Sequence, residues 1–547
     1  MRCSYRFNVS ARAIQFGIVL GHIALAGNGV AVASGGAATS RAETTGRYVR
    51  IPIRQPQVFL DDALVASKEQ VVRTWHALRK HPANPVLLPA PWEDQHWLFG
   101  TVLREPDPDV GGEAVFRMWY YAAVHDEEKA EMPRSTASIG YAVSRDGLHW
   151  EKPICGLYEF NGSRNNNIVF NPVWETGAPA LENRRLIDFG GVIRDPRQNI
   201  PEDERYKAII ATLVYREDER VGRDYLLIVS PDGIHWRSRQ ALALPEPCEA
   251  DRACLVWDPS CALYVLYNRT YYSPPAVREK AVEKNWPRHY GGNARAVAVA
   301  TSADFKEWTL ADPPLAMHVD GEDPDTTQIY GLQAFPCGGQ WVGLWQNYCS
   351  RADVSTIDVG IAHSRDGMRW SRVRTTDFLA LPNGSLGDWD RFNQCTATAP
   401  VRVGDELWVY YSGRLYRHGG YDPTGPRDSG PYFVGIGLAT LRLDGWCSMA
   451  SGFNAGEVIT IPLILPEGKL YINAQARWGE IQVEVLDESG ELIKGMASEP
   501  LKDDGVKLPV SWPAGKSLTQ FADMPIRLRF TITNARLYSW QVDRPAE

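Results

Sequence analysis

One seven-residue phrase, Ser144-Arg-Asp-Gly-Leu-His-Trp150, decides the fold because it recurs along the chain. The other copies are Ser230-Pro-Asp-Gly-Ile-His-Trp236, Ser302-Ala-Asp-Phe-Lys-Glu-Trp308, Ser364-Arg-Asp-Gly-Met-Arg-Trp370 and a shortened Leu443-Asp-Gly-Trp446. Successive Trp residues are 86, 72, 62 and 76 residues apart, which is long for a solenoid repeat and typical of four-stranded propeller blades with long loops. The repeat therefore predicts an all-β, five-bladed β-propeller.

The chemistry of this turn phrase is structural. Its Asp can accept hydrogen bonds from turn amides, its Gly takes a positive φ, and its Trp can anchor the next strand between blades. We therefore assign no catalytic role to the Asp residues of the turn phrases.

Strand-like runs precede every turn phrase in the same order. An alternating or apolar run ends at each phrase, for example Ile139-Gly-Tyr-Ala-Val143, and two further runs come before it. The predicted innermost runs are Gly100–Leu103, Gly190–Ile193, Ala253–Trp257, Ile329–Leu332 and Ala397–Val401. Four strands in each of five blades follow from this pattern.

The chain is predicted to contain four segments. Residues 1–33 form a signal peptide, 34–90 a leader and N-terminal extension, 91–447 the propeller, and 448–547 a jelly-roll-like β-sandwich without turn phrases. Packing against the propeller is the simpler role for this sandwich, and sugar binding is the alternative.

The N-terminus has the features of an export signal. Arg2, Arg6 and Arg12 precede an apolar stretch that ends in Ala31-Val-Ala33, a small-residue cleavage pattern. An uncleaved anchor is the alternative, but Gly27 and Asn28 interrupt the apolar stretch. The chain is expected to be exported to the periplasm or the exterior and to contact no membrane after cleavage.

Composition indicates a carbohydrate partner. Aromatic residues make up 11% of the 547 residues and suit stacking on sugar rings. A net charge of -8 without a long Lys/Arg run excludes a nucleic-acid partner. Eight cysteines would remain after removal of Cys3, either as free thiols or in disulfides, and none has the spacing of a zinc site.

Acidic residues precede the innermost strand of every blade, and such strands begin at one mouth of a propeller. These acids are Glu93, Asp94, Asp188, Asp251, Glu322, Asp323, Asp325, Asp388 and Asp390. A glycosidase needs a proton donor and a second carboxylate at one site. We predict that two or three of Asp188, Asp251, Asp325 and Glu322 are catalytic, although each taken singly is also explained by turn formation.

Other residues are predicted to bind substrate at the same mouth. They are Asp61, Asp62, Asp94, His96, Arg252, Gln328, Tyr330, Asp390 and Asn393, with Trp97 and Gln394 beside them. No cofactor is expected, although so many carboxylates would be compatible with a central calcium ion.

The turn phrases, the five blades and the trailing sandwich resemble the five-bladed propeller glycoside hydrolases of families 32 and 43. The stretch His81-Pro-Ala-Asn-Pro-Val-Leu87 is similar to one in family 130 mannoside phosphorylases, and Phe59-Leu-Asp-Asp62 resembles the opening of a large group of exported bacterial proteins. The resemblance covers nearly the whole mature chain and implies glycosidic-bond hydrolysis. The chain lacks the Trp-Met-Asn-Asp-Pro motif of family 32, and its Arg194-Asp-Pro196 lies at the far end of a strand.

Three other functions fit parts of the pattern. A phosphorylase would need a basic pocket near the acids, for which Arg252 and His96 are candidates. A sialidase would share Arg50-Ile-Pro52, but its turn phrase is one residue longer, its propeller has six blades, and it needs three converging arginines. A glycan-binding propeller without catalysis would need no close pair of carboxyl groups.

Overall fold

The structure is a computed structural model in which 15 stretches of the chain are described. They are residues 43–45, 48–93, 95–107, 111–124, 136–160, 162–174, 183–217, 219–244, 246–249, 251–286, 289–351, 354–375, 378–385, 387–418 and 434–544. These stretches are nearly all β, with one α-helix, α1 (Pro275–Glu283), and 3₁₀ turns at Glu202–Glu204 and Leu518–Phe521. The predicted signal peptide lies outside the described residues.

Six short strands come before the first long one. They are β1 (Glu43–Thr45), β2 (Tyr48–Arg50), β3 (Gln57–Val58), β4 (Val65–Glu69), β5 (Val72–Trp75) and β6 (Arg79–Lys80). Each of them pairs within a sheet, and β2 to β6 pair with strands from the C-terminal part of the chain.

Three four-stranded antiparallel sheets follow, each built from consecutive strands. The first contains β7 (Gln95–Pro106), β8 (Ala114–Val124), β9 (Thr136–Ser144) and β10 (Ile168–Phe170). The second contains β11 (Arg184–Arg194), β12 (Tyr206–Arg216), β13 (Glu219–Ser230) and β14 (Arg237–Leu242). The third contains β15 (Ala253–Asp258), β16 (Leu263–Tyr271), β17 (Arg295–Ser302) and β18 (Thr309–Met317).

A nine-stranded sheet has two halves. The first half contains β19 (Thr327–Cys337), β20 (Gln340–Cys349), β21 (Ile357–Ser364) and β22 (Ser371–Arg372). The second contains β23 (Asn393–Thr396), β24 (Val401–Val403), β25 (Glu406–Arg414), β26 (Val434–Arg442) and the N-terminal β6. A single parallel pair, Ile357 with Asn393, joins the halves.

The innermost strands of these sheets are neighbours and close a ring. Strand β7 contacts β11, β11 contacts β15, β15 contacts β19, and β23 contacts both β20 and β7. At the closure, the Thr398 amide donates to the Gly100 carbonyl at 3.0 Å, and the Thr398 and Thr101 hydroxyls are 2.7 Å apart. The arrangement is propeller-like, and the outermost strand of its last sheet, β6, comes from the N-terminal segment.

The predicted innermost run at Ala397–Val401 is wrong in its bounds. Strand β23 ends at Thr396 and β24 begins at Val401, so most of the run lies between two strands. Pro400 has no amide hydrogen for a sheet, which suits the break. The other four predicted innermost runs lie within β7, β11, β15 and β19 and are confirmed.

Three of the turn phrases adopt the predicted geometry, while the positive φ falls on Phe305 in the third copy and on Asp444 rather than Gly445 in the shortened one. In the first, Asp146 Oδ1 accepts hydrogen bonds from the Leu148 and His149 amides, both at 2.8 Å. The Gly147 amide, at φ 76°, donates to the Ser144 hydroxyl at 2.8 Å. The phrase therefore satisfies its own polar groups at the end of each third strand.

Three turn phrases also link neighbouring sheets. In each of them, the carbonyl of the turn Gly accepts a hydrogen bond from an aromatic side chain of the preceding sheet in the ring. The donors are Tyr410 to Gly147 at 2.8 Å, Trp119 to Gly233 at 2.6 Å, and Tyr267 to Gly367 at 2.7 Å. The phrases that reveal the repeat thus join adjacent sheets.

The remaining strands form two sheets at the C-terminus. They are β27 (Cys447–Ser451), β28 (Gly456–Thr460), β29 (Leu463–Ile464), β30 (Lys469–Gln475), β31 (Glu480–Leu486), β32 (Leu492–Ala497), β33 (Asp504–Pro509), β34 (Pro525–Thr533) and β35 (Ala535–Asp543). Val458 and Phe530 of one sheet and Ile472 and Trp540 of the other belong to one buried apolar cluster. Strands β1, β2 and β4 extend the sheet that contains β28 and β34. Strands β3 and β5 extend the sheet that contains β30 and β35.

The eight cysteines of the described stretches are free thiols. In the same stretches, no helix has the length and apolar character needed to cross a membrane.

Candidate functional site

The starts of the innermost strands converge at one end of the ring, which we call the mouth. The Arg252 guanidinium, just before β15, lies 3.5 Å from Asp188 Oδ1 of β11 and over the Phe99 ring of β7. Arg414, at the end of β25, stacks on the Trp97 ring near the start of β7. Side chains from three sheets and from both halves of the nine-stranded sheet, including Tyr330 of β19 near Arg269, therefore meet there.

Asp188 is the most buried carboxyl group at the mouth. It lies inside β11, at a register irregularity between Leu186 and Asp188, and it is 2% exposed. Such bulges redirect side chains and are frequent beside functional sites. Burial raises the pKa of Asp188 above its ordinary value, although the nearby Arg252 opposes that shift. Asp188 is thus a buried carboxyl group whose pKa is raised by burial.

Asp251 lies on the other side of Arg252. Its Oδ1 accepts the Arg252 amide at 2.8 Å, and its Oδ2 accepts from Arg223 at 2.7 Å and from Arg269. Arg269 in turn lies over the Tyr330 ring. Asp251 therefore fixes two guanidinium groups beside the mouth.

Four buried arginines line the mouth and form what we call the arginine cluster: Arg252, Arg269, Arg295 and Arg414. They are 2%, 7%, 6% and 7% exposed, respectively. The first three belong to adjacent strands of the third sheet, since Arg269 is in β16, Arg295 begins β17, and Arg252 precedes β15. Arg252 Nη2 and the Nε atoms of Arg269 and Arg295 are buried without a hydrogen-bond partner.

Buried amide side chains at the mouth are also only partly satisfied. Gln328 Oε1 accepts from the Arg295 amide at 2.9 Å, and Gln346 Oε1 accepts from Arg252 Nε at 2.9 Å. Asn393 donates to the Tyr416 carbonyl at 2.6 Å. The opposite amide atom of each of these three residues is buried without a partner, as is Oε1 of Gln394. Unsatisfied buried polar atoms are rare in folded proteins, so this concentration indicates a ligand site.

Aromatic rings form one wall of the site. Tyr330 and Tyr348 pack edge to face at 6.1 Å, and His418 lies 4.9 and 4.8 Å from their respective rings. Arg295 lies over Tyr348. The wall therefore combines buried aromatic rings with a guanidinium group stacked on one of them.

His96 lies beside Glu93 rather than beside Asp188. Its Nδ1 is 3.3 Å from Glu93 Oε2, and Tyr120 donates to Glu93 Oε1 at 2.5 Å. Burial opposes ionisation of Glu93, but His96 and Lys152 lower its pKa from 4.5 to about 2. Glu93 is therefore a paired, charged group. His96 Nε2 is buried without a partner.

Asp325 and Glu322 lie on the rim, in an exposed turn before β19. The Glu322 side chain is 80% exposed and lies 3.6 Å from Arg374. Asp325 lines a cavity of about 530 Å³ together with Trp286, Cys349 and Arg351. The structure thus separates the four predicted catalytic acids into the buried Asp188, the partly buried Asp251 and a rim pair, Asp325 and Glu322.

Three predicted substrate-binding acids have partners elsewhere. Asp61 accepts two hydrogen bonds from Arg365, at 2.7 and 2.6 Å, and Arg365 belongs to the fourth turn phrase at the opposite end of the ring. Asp62 pairs with Lys68 and Arg73. Asp390 is buried between Lys80 and Tyr411, at 2.5 and 2.8 Å. Asp94 lies outside the described residues.

No group of three or more His, Cys, Asp or Glu side chains is placed to hold a metal ion in the described stretches. Around Asp188 the described charged groups are mainly arginines. We therefore assign none of these residues to the calcium ion that the sequence left open.

Sequence reasoning missed Arg269, Arg295, Arg414 and Gln346. Each lies inside a strand near its mouth end, so no loop position marks it. One signal was present, because Arg295 opens an otherwise small and apolar run, Ala296-Val-Ala-Val-Ala300. An arginine that begins such a buried strand requires a partner.

No protein-family model matches the chain, and no curated protein matches it in sequence. Solved structures similar to it include a family 32 β-fructofuranosidase of Bombyx mori, with 11% identity and a TM-score of 0.41 over 86% of this chain and 95% of that one. A structure of the family 130 mannoside phosphorylases and hydrolases, described as targeting β-1,2-mannosidic linkages in Candida mannan, has 16% identity and a TM-score of 0.41 over 68% and 94%.

An N-acetylgalactosamine deacetylase from F. plautii, solved with blood group B trisaccharide, has 15% identity and a TM-score of 0.40 over 70% of this chain and 97% of that one. At such identities, the roles of residues in these proteins do not transfer to positions of this chain.

Proposed function

We propose that the chain is a glycan-active enzyme, a glycoside hydrolase in which Asp188 donates the proton to the leaving oxygen. We further propose that the closed ring is a five-bladed propeller and that the two C-terminal sheets are a β-sandwich. Five successive sheets or half-sheets with innermost strands in contact support the first assignment, and the shared apolar cluster supports the second.

The observation that carries the enzymatic proposal is the contrast between Asp188 and Asp251. Asp188 is buried with a raised pKa, which favours its protonated form, whereas Asp251 accepts hydrogen bonds from two arginines. Two carboxyl groups in such different environments, on either side of Arg252, are what an acid and a charged carboxylate require. A propeller that only binds glycans does not need this difference.

The proposed chemistry assigns one task to each group. Asp188 protonates the glycosidic oxygen as its bond to the anomeric carbon breaks, a water molecule adds to that carbon, and Asp251, which also holds Arg269 in place, accepts the proton that the water loses. The Tyr330 ring and the partly satisfied amides of Gln328 and Asn393 orient the sugar. Asp325 and Trp286 at the rim cavity bind a further part of the glycan.

The test is turnover of an oligosaccharide panel, with products followed by NMR. Asp188→Asn is expected to lower kcat by about 10²- to 10⁴-fold, because the side chain keeps its shape and loses its acidic proton. Glu322→Gln is the matched control, because its exposed carboxylate is expected to leave kcat unchanged. Full turnover by Asp188→Asn would overturn the assignment, and binding without turnover by the unsubstituted protein would favour a glycan-binding propeller.

We also propose export, with cleavage after Ala33, from the charge and apolar pattern at the N-terminus. N-terminal sequencing of the protein recovered from outside the cytoplasm would show a start at Ser34, whereas a start at Met1 would contradict it.

A further inference from the structure

Within the described stretches, the arginine cluster carries more positive charge than the carboxylates around it balance. Among the described residues, four buried guanidinium groups face the buried carboxyl group of Asp188 and the partly buried one of Asp251, because Arg252 lies near Asp188 and Arg269 pairs with Asp251. No carboxylate among the described residues pairs with Arg295 or Arg414.

Arg295 and Arg414 are held by neutral groups only. Arg295 Nη1 donates to Gln328 at 3.3 Å and lies over Tyr348, while its Nε has no partner. Arg414 stacks on Trp97 and Tyr416. Burial lowers the pKa of Arg414, as expected for a charge removed from water without an opposite charge.

A buried guanidinium without a carboxylate destabilises a fold, because no opposite charge compensates for its lost hydration. Stacking on aromatic rings fixes the plane of each guanidinium and leaves its edge to donate hydrogen bonds. Two such groups beside the Tyr330–Tyr348 wall are therefore prepared to receive an oxyanion in a bidentate manner.

We propose that the arginine cluster binds an oxyanion and that the glycan acted upon is acidic, with a sugar carboxylate between Arg295 and Arg414. The sugar part rests on the proposed function, whereas oxyanion binding stands on the buried charges alone. Free phosphate has the same chemistry, so the experiment distinguishes the two sources.

The experiment is calorimetric titration of the full chain with matched sugars. The probes are D-galacturonate against D-galactose and D-glucuronate against D-glucose, pairs that differ only at C6, together with inorganic phosphate. At least one uronate is expected to bind about tenfold or more tightly than its neutral partner. Equal affinity within both pairs, with no phosphate binding, would overturn the proposal.

Arginine variants locate the oxyanion. Arg295→Gln and Arg414→Gln are each expected to weaken uronate binding about 10- to 100-fold. Arg237→Gln, in an exposed pair with Asp203, is the control and is expected to change nothing. Unchanged binding in both cluster variants would place the oxyanion elsewhere and contradict the proposal.

Thermal unfolding separates a binding role from a structural one. Removing an unbalanced buried charge is expected to raise Tm of the unliganded protein by about 2 °C or more in Arg295→Gln or Arg414→Gln. A lowered Tm in both variants would indicate structural arginines and overturn the proposal.

The probes also separate this inference from the proposed function. Uronate binding without turnover of any glycan would support the oxyanion site and overturn hydrolysis. Turnover of neutral glycans only would support hydrolysis and overturn the acidic substrate. Phosphate binding that outcompetes the uronates would support the oxyanion site and overturn the acidic sugar.

Discussion

Strand β11 has one carboxyl group on the mouth side of its centre and is followed by another just beyond its turn end. The pKa values of these two groups are shifted in opposite directions. At the mouth, Asp188 is buried near a single guanidinium at 3.5 Å, and burial raises its pKa. Just beyond the other end, Asp195 pairs with Lys207 at 2.8 Å and with Arg197 at 2.9 Å and accepts a hydrogen bond from Tyr264. These partners outweigh burial and lower its pKa to about 2.

The same difference extends over the two ends of the ring. At the turn end, the Ser and Asp of the turn phrases satisfy nearby amides, and Gly carbonyls join adjacent sheets. At the mouth, buried amide and guanidinium atoms have no partners. Hydrogen bonds of the turn phrases stabilise the ring at one end, where Trp308 Nε1 and Trp446 Nε1 are also unpaired, and the unpaired amide and guanidinium groups at the other end are candidates for ligand binding. The stabilising turn contacts and the proposed site therefore lie at opposite ends of the same strands.

The largest expected effect on stability is at the turn end of β11. Asp195→Asn is expected to lower the free energy of unfolding by about 3–5 kcal/mol, because it removes the carboxylate 2.8 Å from the buried Lys207 ammonium and leaves only Glu204, 3.9 Å away. Urea unfolding measures the change. Asp203→Asn is the control, since its exposed pair with Arg237 is worth less than about 1 kcal/mol.

Acid titration sharpens this prediction. Because the pKa of Asp195 is lowered on folding from 3.8 to about 2, its stabilising contribution is complete above pH 3.8 and is lost as the pH falls towards 2. The free energy of unfolding of the unsubstituted protein is expected to fall more steeply with acid in this window than that of Asp195→Asn. Parallel pH profiles for the two proteins would contradict the role of Asp195.

A smaller effect is expected within a turn phrase. Gly233 has φ 82°, and a Cβ there would lie 2.6 Å from the Trp119 ring. Gly233→Ala is expected to destabilise the protein by about 2–3 kcal/mol. Gly404, with φ 58° and nothing within 4 Å of a Cβ, is the matched control at about 1 kcal/mol. Equal losses in thermal unfolding would mean that the contact between sheets contributes nothing.

The turn phrases made the strands predictable because their signal is local. A Ser, an Asp and a Gly within four residues determine the turn, and an apolar run on one side determines the strand, as in Tyr225–Val229 before Ser230. The pairing of β2 to β5 with C-terminal strands was not predictable, because such pairing joins positions hundreds of residues apart and leaves no local pattern.

The site was predictable only in part for a related reason. Asp188 and Asp251 were found because acids stand out near the starts of innermost strands, although Asp188 proved to lie inside β11. Arg295 and Arg414 were not found, because they lie in β17 and β25, which are not innermost strands. Only the packing of neighbouring sheets brings Arg295 to Tyr348 and Arg414 to Trp97.

The most direct test measures turnover and unfolding of Asp188→Asn and Asp195→Asn side by side. The account predicts that Asp188→Asn loses about 10²-fold or more in kcat and keeps its free energy of unfolding, while Asp195→Asn loses about 3–5 kcal/mol and keeps its kcat where it is folded. A loss of stability without loss of kcat in Asp188→Asn would contradict the division between the two ends.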